Sequence, residues 1–378
     1  MTGSGTAENP YIVEGEADFR ELDGKSGYIV ICADINFNAS GGRESFDGVS
    51  LGGEVFIDGG GHTISNFYQE LTSVHPNGGL FSGTFTGVLK NLNIENAYIL
   101  GTSSLFDVSG SAGVIAPKCG KCYISGVNIT GAVNISSGNE TVGGFFGEAE
   151  SLDGTGYLNE YDITIEYSKS NVNIYNEHLS GGFFGEAKEG SYIFNYDVAA
   201  CKIFRNSNRA SGYVAYANAG GNTSTYLNCV SQCDIESVSE GSIANGFYSG
   251  NYYGKRYFTN CASICTMKCT YDSTISHASA SGFGNAASIF QCYSICTFDN
   301  YYRSYGLSDS CSRIAQSYAV CSVTNPETGE HYGITGSGTV KNSFFDITAL
   351  PSAQDAERGA TTEQLKNVEW LRSQGWAI

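Results

Sequence analysis

The chain has 378 residues, and its 20 basic against 38 acidic side chains give a formal charge of −18, which would repel a phosphate backbone and excludes nucleic acid as an expected partner. Its 49 Gly, 25 Tyr and 21 Phe, set against 5 Pro, 2 Met and 15% charged residues, suit many short strands joined by tight turns and make poor helix material. No run of 18 or more apolar residues occurs, so no membrane-spanning helix is expected.

Residues 1–30 read as an N-terminal cap. Pro10-Tyr11-Ile12-Val13 is strand-like, and Ala17-Asp18-Phe19-Arg20-Glu21-Leu22 predicts one or two helical turns that Gly24 stops. A stack of strands needs such a cover, because it otherwise ends in unpaired backbone groups and a bare apolar layer. The first ten residues carry neither the basic nor the apolar region of a secretory signal, which disfavours ordinary secretion if Met1 is the natural start. Strands are expected at Tyr28 to Cys32, Val55 to Ile57 and His62 to Phe67, the last two separated by Asp58-Gly59-Gly60-Gly61.

From Gly79 onward the sequence repeats. Val142-Gly143-Gly144-Phe145-Phe146-Gly147-Glu148-Ala149 returns as Ser180-Gly181-Gly182-Phe183-Phe184-Gly185-Glu186-Ala187, and a Gly followed by an apolar residue recurs at Gly79, Gly113, Gly144, Gly182, Gly212, Gly246, Gly282, Gly306 and Gly333. The intervals of 34, 31, 38, 30, 34, 36, 24 and 27 residues are those of a solenoid or a propeller. A second marker separates the two. Asn228-Cys229-Val230-Ser231-Gln232-Cys233 returns at Asn260 to Cys265 and Gln291 to Cys296, with an echo at Gln316 to Cys321. Side chains alternate along a strand, so Cys229, Ser231, Cys233 and Ile235 share a face, and small residues there suit the inside of a narrow coil. Stacked coils then place Cys233, Cys265, Cys296 and Cys321 in a ladder with a step of about 4.8 Å.

The Gly-Gly-aromatic-aromatic-Gly units, the Asn-Cys-x-Ser strands, Ile57-Asp58-Gly59-Gly60-Gly61-His62-Thr63-Ile64 and the ending Ser343-Phe344-Phe345-Asp346 together resemble GLUG-repeat proteins. The resemblance covers roughly residues 1–350 and implies a right-handed parallel β-helix. It implies no single activity, since many such chains look like surface adhesins and others like bacteriophage virion components. It supplies no catalytic motif. Gly282-Phe283-Gly284 and Gly306-Leu307-Ser308 depart from the pattern by losing the second aromatic. After Pro351, Leu365, Val368 and Leu371 fall at helical spacing between Thr361 and Arg372, with Thr361 and Gln364 at capping-box distance and Gly375 as the stop. This predicts a helix that closes the last coil with Trp376 beneath it.

Chemistry is sparse. Cys119-Gly120-Lys121-Cys122 has the spacing of a redox pair or half a metal site but lacks a βαβ context and a second close pair, so a turn with incidental thiols is expected, with a metal or disulfide as the alternative. In the Cys-x-x-x-Cys repeats the two residues lie some 13 Å apart along a strand, and packed, reduced thiols are expected there, disulfides between coils being the alternative. The histidines at 62, 75, 178, 277 and 331 form no ligand motif, and Asp58 with His62 reads as a conventional turn. Carboxylate candidates for glycan cleavage are Asp153, Glu160 and Asp162, and Asp299 near Arg303, all at spacings that chance supplies.

Two features point to binding. Phe247 to Tyr257 is rich in Tyr, so Tyr252, Tyr253 and Tyr257, with Tyr301, Tyr302 and Arg303 further on, are candidate glycan contacts. In the opening repeat the residue after the Gly is apolar throughout, as an inward position requires. The next position reads Phe81, Ile115, Phe146, Phe184, Val214 and Tyr248, then Gly284, Ser308 and Thr335, and alternation points it outward as a candidate partner interface unless a bend buries both.

The expected architecture is all-β, a right-handed parallel β-helix of about nine to ten coils over residues 31–350, with an N-terminal cap at 1–30 and a C-terminal helical cap at 351–378. The expected function is a non-enzymatic structural or attachment protein without cofactor or metal. It is placed on a phage virion surface as a capsid or tail decoration or fibre, with other virion proteins, copies of itself or a host-surface glycan or protein as partners. A secreted or cell-surface adhesin and a glycan-degrading enzyme are the alternatives.

Overall fold

A computed structural model describes residues 1–376 apart from 39–42, 102–109, 136–140, 150–162, 189, 218–222, 251–253, 272–277 and 325–328. The described chain winds into a parallel β-helix. One strand position begins at Tyr11–Val13 and passes through Gly27–Ile31, Val55–Asp58, Thr84–Gly101, Ala116–Ile135 and Ile163–Glu166. It goes on through Ser191–Asn195, Thr223–Leu227, Lys255–Thr259, Ala286–Phe290 and Cys311–Ala315 to Gly338–Lys341, each strand parallel to the next. These are twelve rungs, more than the sequence count. The three at the N-terminal end precede Gly79 and carry no Gly-Gly-aromatic marker.

The β-branched, leucine and aromatic residues of this position form one internal column. Ile29, Ile57, Leu89, Ile124, Ile165, Phe194, Tyr226, Phe258, Ile289 and Ile314 lie in register, and all are buried. Identical stacking at a step of about 4.8 Å lets each side chain pack on its counterparts above and below. Across the coil, a separate sheet of short strands runs from Ser111–Gly113 to Glu330–Tyr332 and closes the section.

From the fourth rung onward each coil turns its first corner on a residue in the left-handed region. Asn91, Gly126, Tyr167, Tyr196, Asn228, Asn260, Gln291, Gln316 and Asn342 have φ between 47° and 66°. Asn and Gly enter that region at least cost. Tyr167 and Tyr196 instead stack face to face, 5.2 Å apart. The next residue turns inward and caps the amide of the preceding coil. Thus Ser168 Oγ accepts from Val127 N, Asp197 Oδ1 from Ser168 N, Cys292 Sγ from Cys261 N, Ser317 Oγ from Cys292 N and Ser343 Oγ from Ser317 N. Ser, Cys or Asp at this buried position supplies the acceptor, whereas Leu92 and Val127 fill it with apolar side chains on two earlier coils.

The cysteine ladder forms as its spacing predicts. Cys265, Cys296 and Cys321 are in direct register. Cys233 opposes Cys265, because Ser231 pairs with Ser263 and Asp234 with Thr266. All thirteen cysteines are free and, apart from Cys32, buried. Burial pushes the Cys296 and Cys321 thiols up, Cys321 to about 12.

At the N-terminal end, helix Glu16–Arg20 lays the buried Phe19 against Phe37, Phe46 and Phe81. At the other end the single helix expected between Thr361 and Arg372 is two. Thr362–Leu365 starts with the Thr361/Gln364 capping box, and Val368–Ser373 starts at Asn367, whose Oδ1 accepts from Trp370 N at 3.0 Å. An N-cap side chain competes with helix continuation, so Asn367 restarts the helix rather than extending it. Trp370 packs on Phe344, and Trp376 lies near Tyr318.

Candidate functional site

The six residues Phe81, Ile115, Phe146, Phe184, Val214 and Tyr248 are not an outward stripe; all are buried. The chain bends at Gly144-Phe145 and restarts its alternation. Both Phe145 N and Phe146 N donate to the Phe183 carbonyl, so consecutive aromatics both enter the core. The first series stacks as Phe145, Phe183, Tyr213, Phe247 and Phe283, with centroids 4.7 to 5.0 Å apart. The later polar members Ser308 and Thr335 are buried as well, and Ser308 Oγ donates to the Gly284 carbonyl. The apolar stripe is therefore interior packing and offers no docking surface.

The Tyr-rich candidates divide. Tyr252 and Tyr253 lie outside the described residues. Tyr257 is partly exposed on its strand, but Tyr301 is buried and donates to Ser237 Oγ at 2.9 Å, because it follows the left-handed Asn300 and turns into the core. Arg303 pairs with Glu330 at 3.1 Å rather than with Asp299, which accepts from Thr324 Oγ1. Asp153, Glu160 and Asp162 are also outside the described residues. Asp58 makes the expected turn, accepting from Gly60 N at 3.0 Å, while His62 Nδ1 faces Asp34 at 3.4 Å.

A surface groove of about 730 Å³ lies among the described residues where none of the sequence candidates falls. Its shape follows from a β-bulge. Ile94 pairs with Ile129 and Ala97 with Gly131, so the strand Thr84–Gly101 carries one extra residue there. Asn96 takes the left-handed conformation at the bulge, and Asn66 does the same on the preceding coil. The floor is Ala97, Gly131 and Ala132. A Cβ on Gly131 would sit 2.2 Å from the Ala97 carbonyl oxygen, so only glycine lets the coils close here. Small side chains below and long ones beside them make the depression.

One wall is aromatic and cationic. Tyr68 and Tyr98 are in register with rings 6.0 Å apart and inclined by 13°, and the Arg43 guanidinium lies 5.7 and 5.2 Å from their centroids. The other groups are amides and a hydroxyl. Asn38 Nδ2 donates to the Asn66 carbonyl at 2.7 Å, Asn66 Nδ2 to Asn36 Oδ1 at 2.9 Å, and Thr130 Oγ1 accepts from Asn96 N at 3.3 Å. Asn171 and Asn173, in register with Thr130 and Ala132, extend the row to a fifth coil. Five coils span about 19 Å. Among the described lining residues Arg43 is the one charged group. Such a surface offers paired amide donors and acceptors beside a flat apolar face, which suits a polyhydroxylated ligand and provides no acid and base.

A second cluster lies elsewhere, on the units that open the repeat. Lys118, Glu148, Glu186 and Tyr216 occupy one column over four coils. Lys188 Nζ lies 3.1 Å from Glu148 Oε2, while burial and then the Glu148 charge hold the Glu186 carboxyl above its ordinary value. The repeated Gly-Glu-Ala was the signal that could have located this pair. Among the described residues no group of three or more His, Cys, Asp or Glu is arranged to hold a metal ion, and no helix is long and apolar enough to cross a membrane.

No family model matches the chain. Over 165 residues it is 31% identical to halomucin of Haloquadratum walsbyi, a match that covers 39% of this chain and spans only 2% of that far longer protein. A crystal structure of a candidate immunoglobulin A1 protease from Bacteroides ovatus is similar in fold, with a TM-score of 0.50 and 18% identity over 71% of this chain and 79% of that one.

Proposed function

We propose that the chain is a non-enzymatic structural and attachment module, a stiff β-helical rod whose Asn-lined groove binds glycan. The observation that carries this is the Tyr68, Tyr98 and Arg43 wall set over a floor of Ala97, Gly131 and Ala132, with amides on the far side. Sugar rings stack on aromatic faces, and their hydroxyls pair with amides. The match to a small part of halomucin fits coils of this kind serving as a module within longer chains. On the resemblance to GLUG-repeat chains, the module belongs on a phage virion as a decoration or fibre, with a cell-surface adhesin as the other setting. Portal, capsid or tail genes beside its gene support the first.

Binding of the purified chain to a glycan array, followed by calorimetry with the best ligand, tests the groove. Binding that Tyr98→Ala and Arg43→Ala both weaken supports it. An array without a hit, or variants that bind as well as the parent, overturns it.

A glycan-degrading enzyme is the second reading, and the Glu148 and Glu186 pair favours it. Two carboxyls on adjacent rungs, one with its pKa raised by burial and the other ion-paired to a lysine, are the elements of retaining glycoside hydrolysis. Release of reducing ends by the chain, lost in Glu186→Gln, would replace the attachment reading.

A further inference from the structure

Residues three apart in a regular strand point to opposite faces. Cys119 and Cys122 do not. In the strand Ala116–Ile135 the register shifts at this point: Phe85 pairs with Cys119 and Gly87 with Cys122, so three steps on one strand match two on the other. The extra residue is a β-bulge, and it returns Cys122 to the inner face. Cys119 is 0% and Cys122 4% exposed, whereas Lys121 between them is exposed. Their sulfurs lie 2.7 Å apart, about 0.7 Å longer than a disulfide bond.

The ladder cysteines differ. Each sits on a separate coil, and its sulfur also contacts a serine hydroxyl of the preceding coil, Ser231 Oγ 3.4 Å from Cys265 Sγ and Ser263 Oγ 3.5 Å from Cys296 Sγ.

We propose that Cys119 and Cys122 are a redox modification site that closes to an intrachain disulfide across the bulge, with a peroxide as oxidant. Cys122, the more open of the two, attacks the peroxide O–O bond as the thiolate. It becomes the sulfenic acid, and the departing hydroxide takes up the thiol proton to leave as water. The Cys119 sulfur then attacks the sulfenic sulfur, forms the S–S bond and expels hydroxide, which takes the Cys119 proton and leaves as a second water. The two thiols are oxidised by two electrons, and the peroxide is reduced to two waters. Burial pushes the Cys119 thiol up, in line with its acting second. The bond fixes the bulge and with it Lys118, which lies in register with Glu148.

Trypsin makes the test direct, because it cuts after Lys118, Lys121 and Lys169. The folded full-length chain is exposed to hydrogen peroxide, alkylated and digested. The expected product is peptide 119–121 joined to peptide 122–169, lighter by two hydrogens than their sum and separated by reductant. In Cys122→Ser, Cys119 should remain alkylatable after the same treatment. Recovery of both cysteines alkylated, further oxidation without a crosslink, or crosslinks chiefly between coils overturns the proposal.

Discussion

The Arg256 guanidinium lies 4.1 Å from the ring centroid of Tyr248, and its Nη2 donates to the Tyr248 hydroxyl at 2.6 Å. Both side chains are buried, Arg256 at 1% exposure. Nη1 donates to the Gly254 carbonyl, and Nε has no partner among the described residues. Tyr248 thus supplies both the π face and the acceptor that this charge needs. Tyr248→Phe should cost roughly 2 kcal/mol, the value of a hydrogen bond to a charged group. Tyr248→Phe combined with Arg256→Met should lie closer to the parent than the sum of the single variants, because the double change removes the buried charge itself. Urea midpoints of the four proteins check the coupling, and additive losses would show the two side chains to be independent.

Asp197 occupies a corner position that serine or cysteine fills on most other coils. Its carboxylate accepts from Ser168 N and Asn195 N, yet burial outweighs both donors and pushes its pKa from 3.8 to about 9. The folded chain therefore holds a proton that the unfolded chain releases near 3.8. Stability from this group is fully present below that value and is lost as pH rises toward 9. The melting temperature of the parent should fall between pH 5 and pH 9 on this account, by an amount that Asp197→Asn removes. A variant curve parallel to the parent's would assign the dependence to other groups.

The cysteine ladder was legible in the sequence because Cys265 and Cys296 fall within the unbroken strands Ala262–Cys269 and Tyr293–Asp299, where alternation alone decides the face. Phe146 was misread because the same rule was carried through Gly144-Phe145, where the chain bends and alternation restarts. Tyr301 failed for a related reason, since the left-handed Asn300 before it reverses the face on which the next side chain lands. The groove was hidden more deeply. Asn66, Asn96 and Gly131 stand about 30 residues apart, and no local pattern marks a bulge that becomes visible only when the coils are stacked.

Gly212 illustrates how tightly that stack closes. A Cβ there would meet both the Gly246 carbonyl oxygen and Ser231 Oγ at 2.1 Å. The carbonyl belongs to the next coil and cannot move without stretching its ladder, so Gly212→Ala should cost about 3 kcal/mol, at the upper end for overpacking. Gly241→Ala, where a Cβ meets nothing within 4 Å, should fall within about 0.5 kcal/mol of the parent. Equal midpoints for the two variants would show that the turn relaxes.

In the groove, the Arg43 guanidinium lies over the rings of two stacked tyrosines. Arg43→Ala should weaken glycan binding about tenfold, equivalent to 1.4 kcal/mol, and Tyr98→Ala at least as much. Neither should move the urea midpoint by more than about 0.5 kcal/mol, since both lie on the surface. Calorimetry beside unfolding separates the two effects, and a loss of binding that merely tracks a loss of fold would remove these residues from the site.

The C-terminal end poses the problem that every open stack must solve, because its last coil has no successor to accept its amides. Asp355 takes that part. Its carboxylate, 4% exposed, accepts from Gly333 N at 2.6 Å and Ile334 N at 3.0 Å, where a further coil would offer a carbonyl. Gly359–Ala360 extends the ladder over Phe344–Asp346 beside it. Asp355→Ala leaves two buried donors bare at the edge of an apolar layer, which should cost roughly 1 to 3 kcal/mol. An unblunted parallel edge is also a template for another chain, so the variant should self-associate end to end as concentration rises. Asp355→Asn keeps one acceptor oxygen and should fall between the two. Sedimentation velocity over a concentration series checks this, and an Asp355→Ala protein with the parent's midpoint and sedimentation coefficient would show that the end is closed by the strand and helices alone.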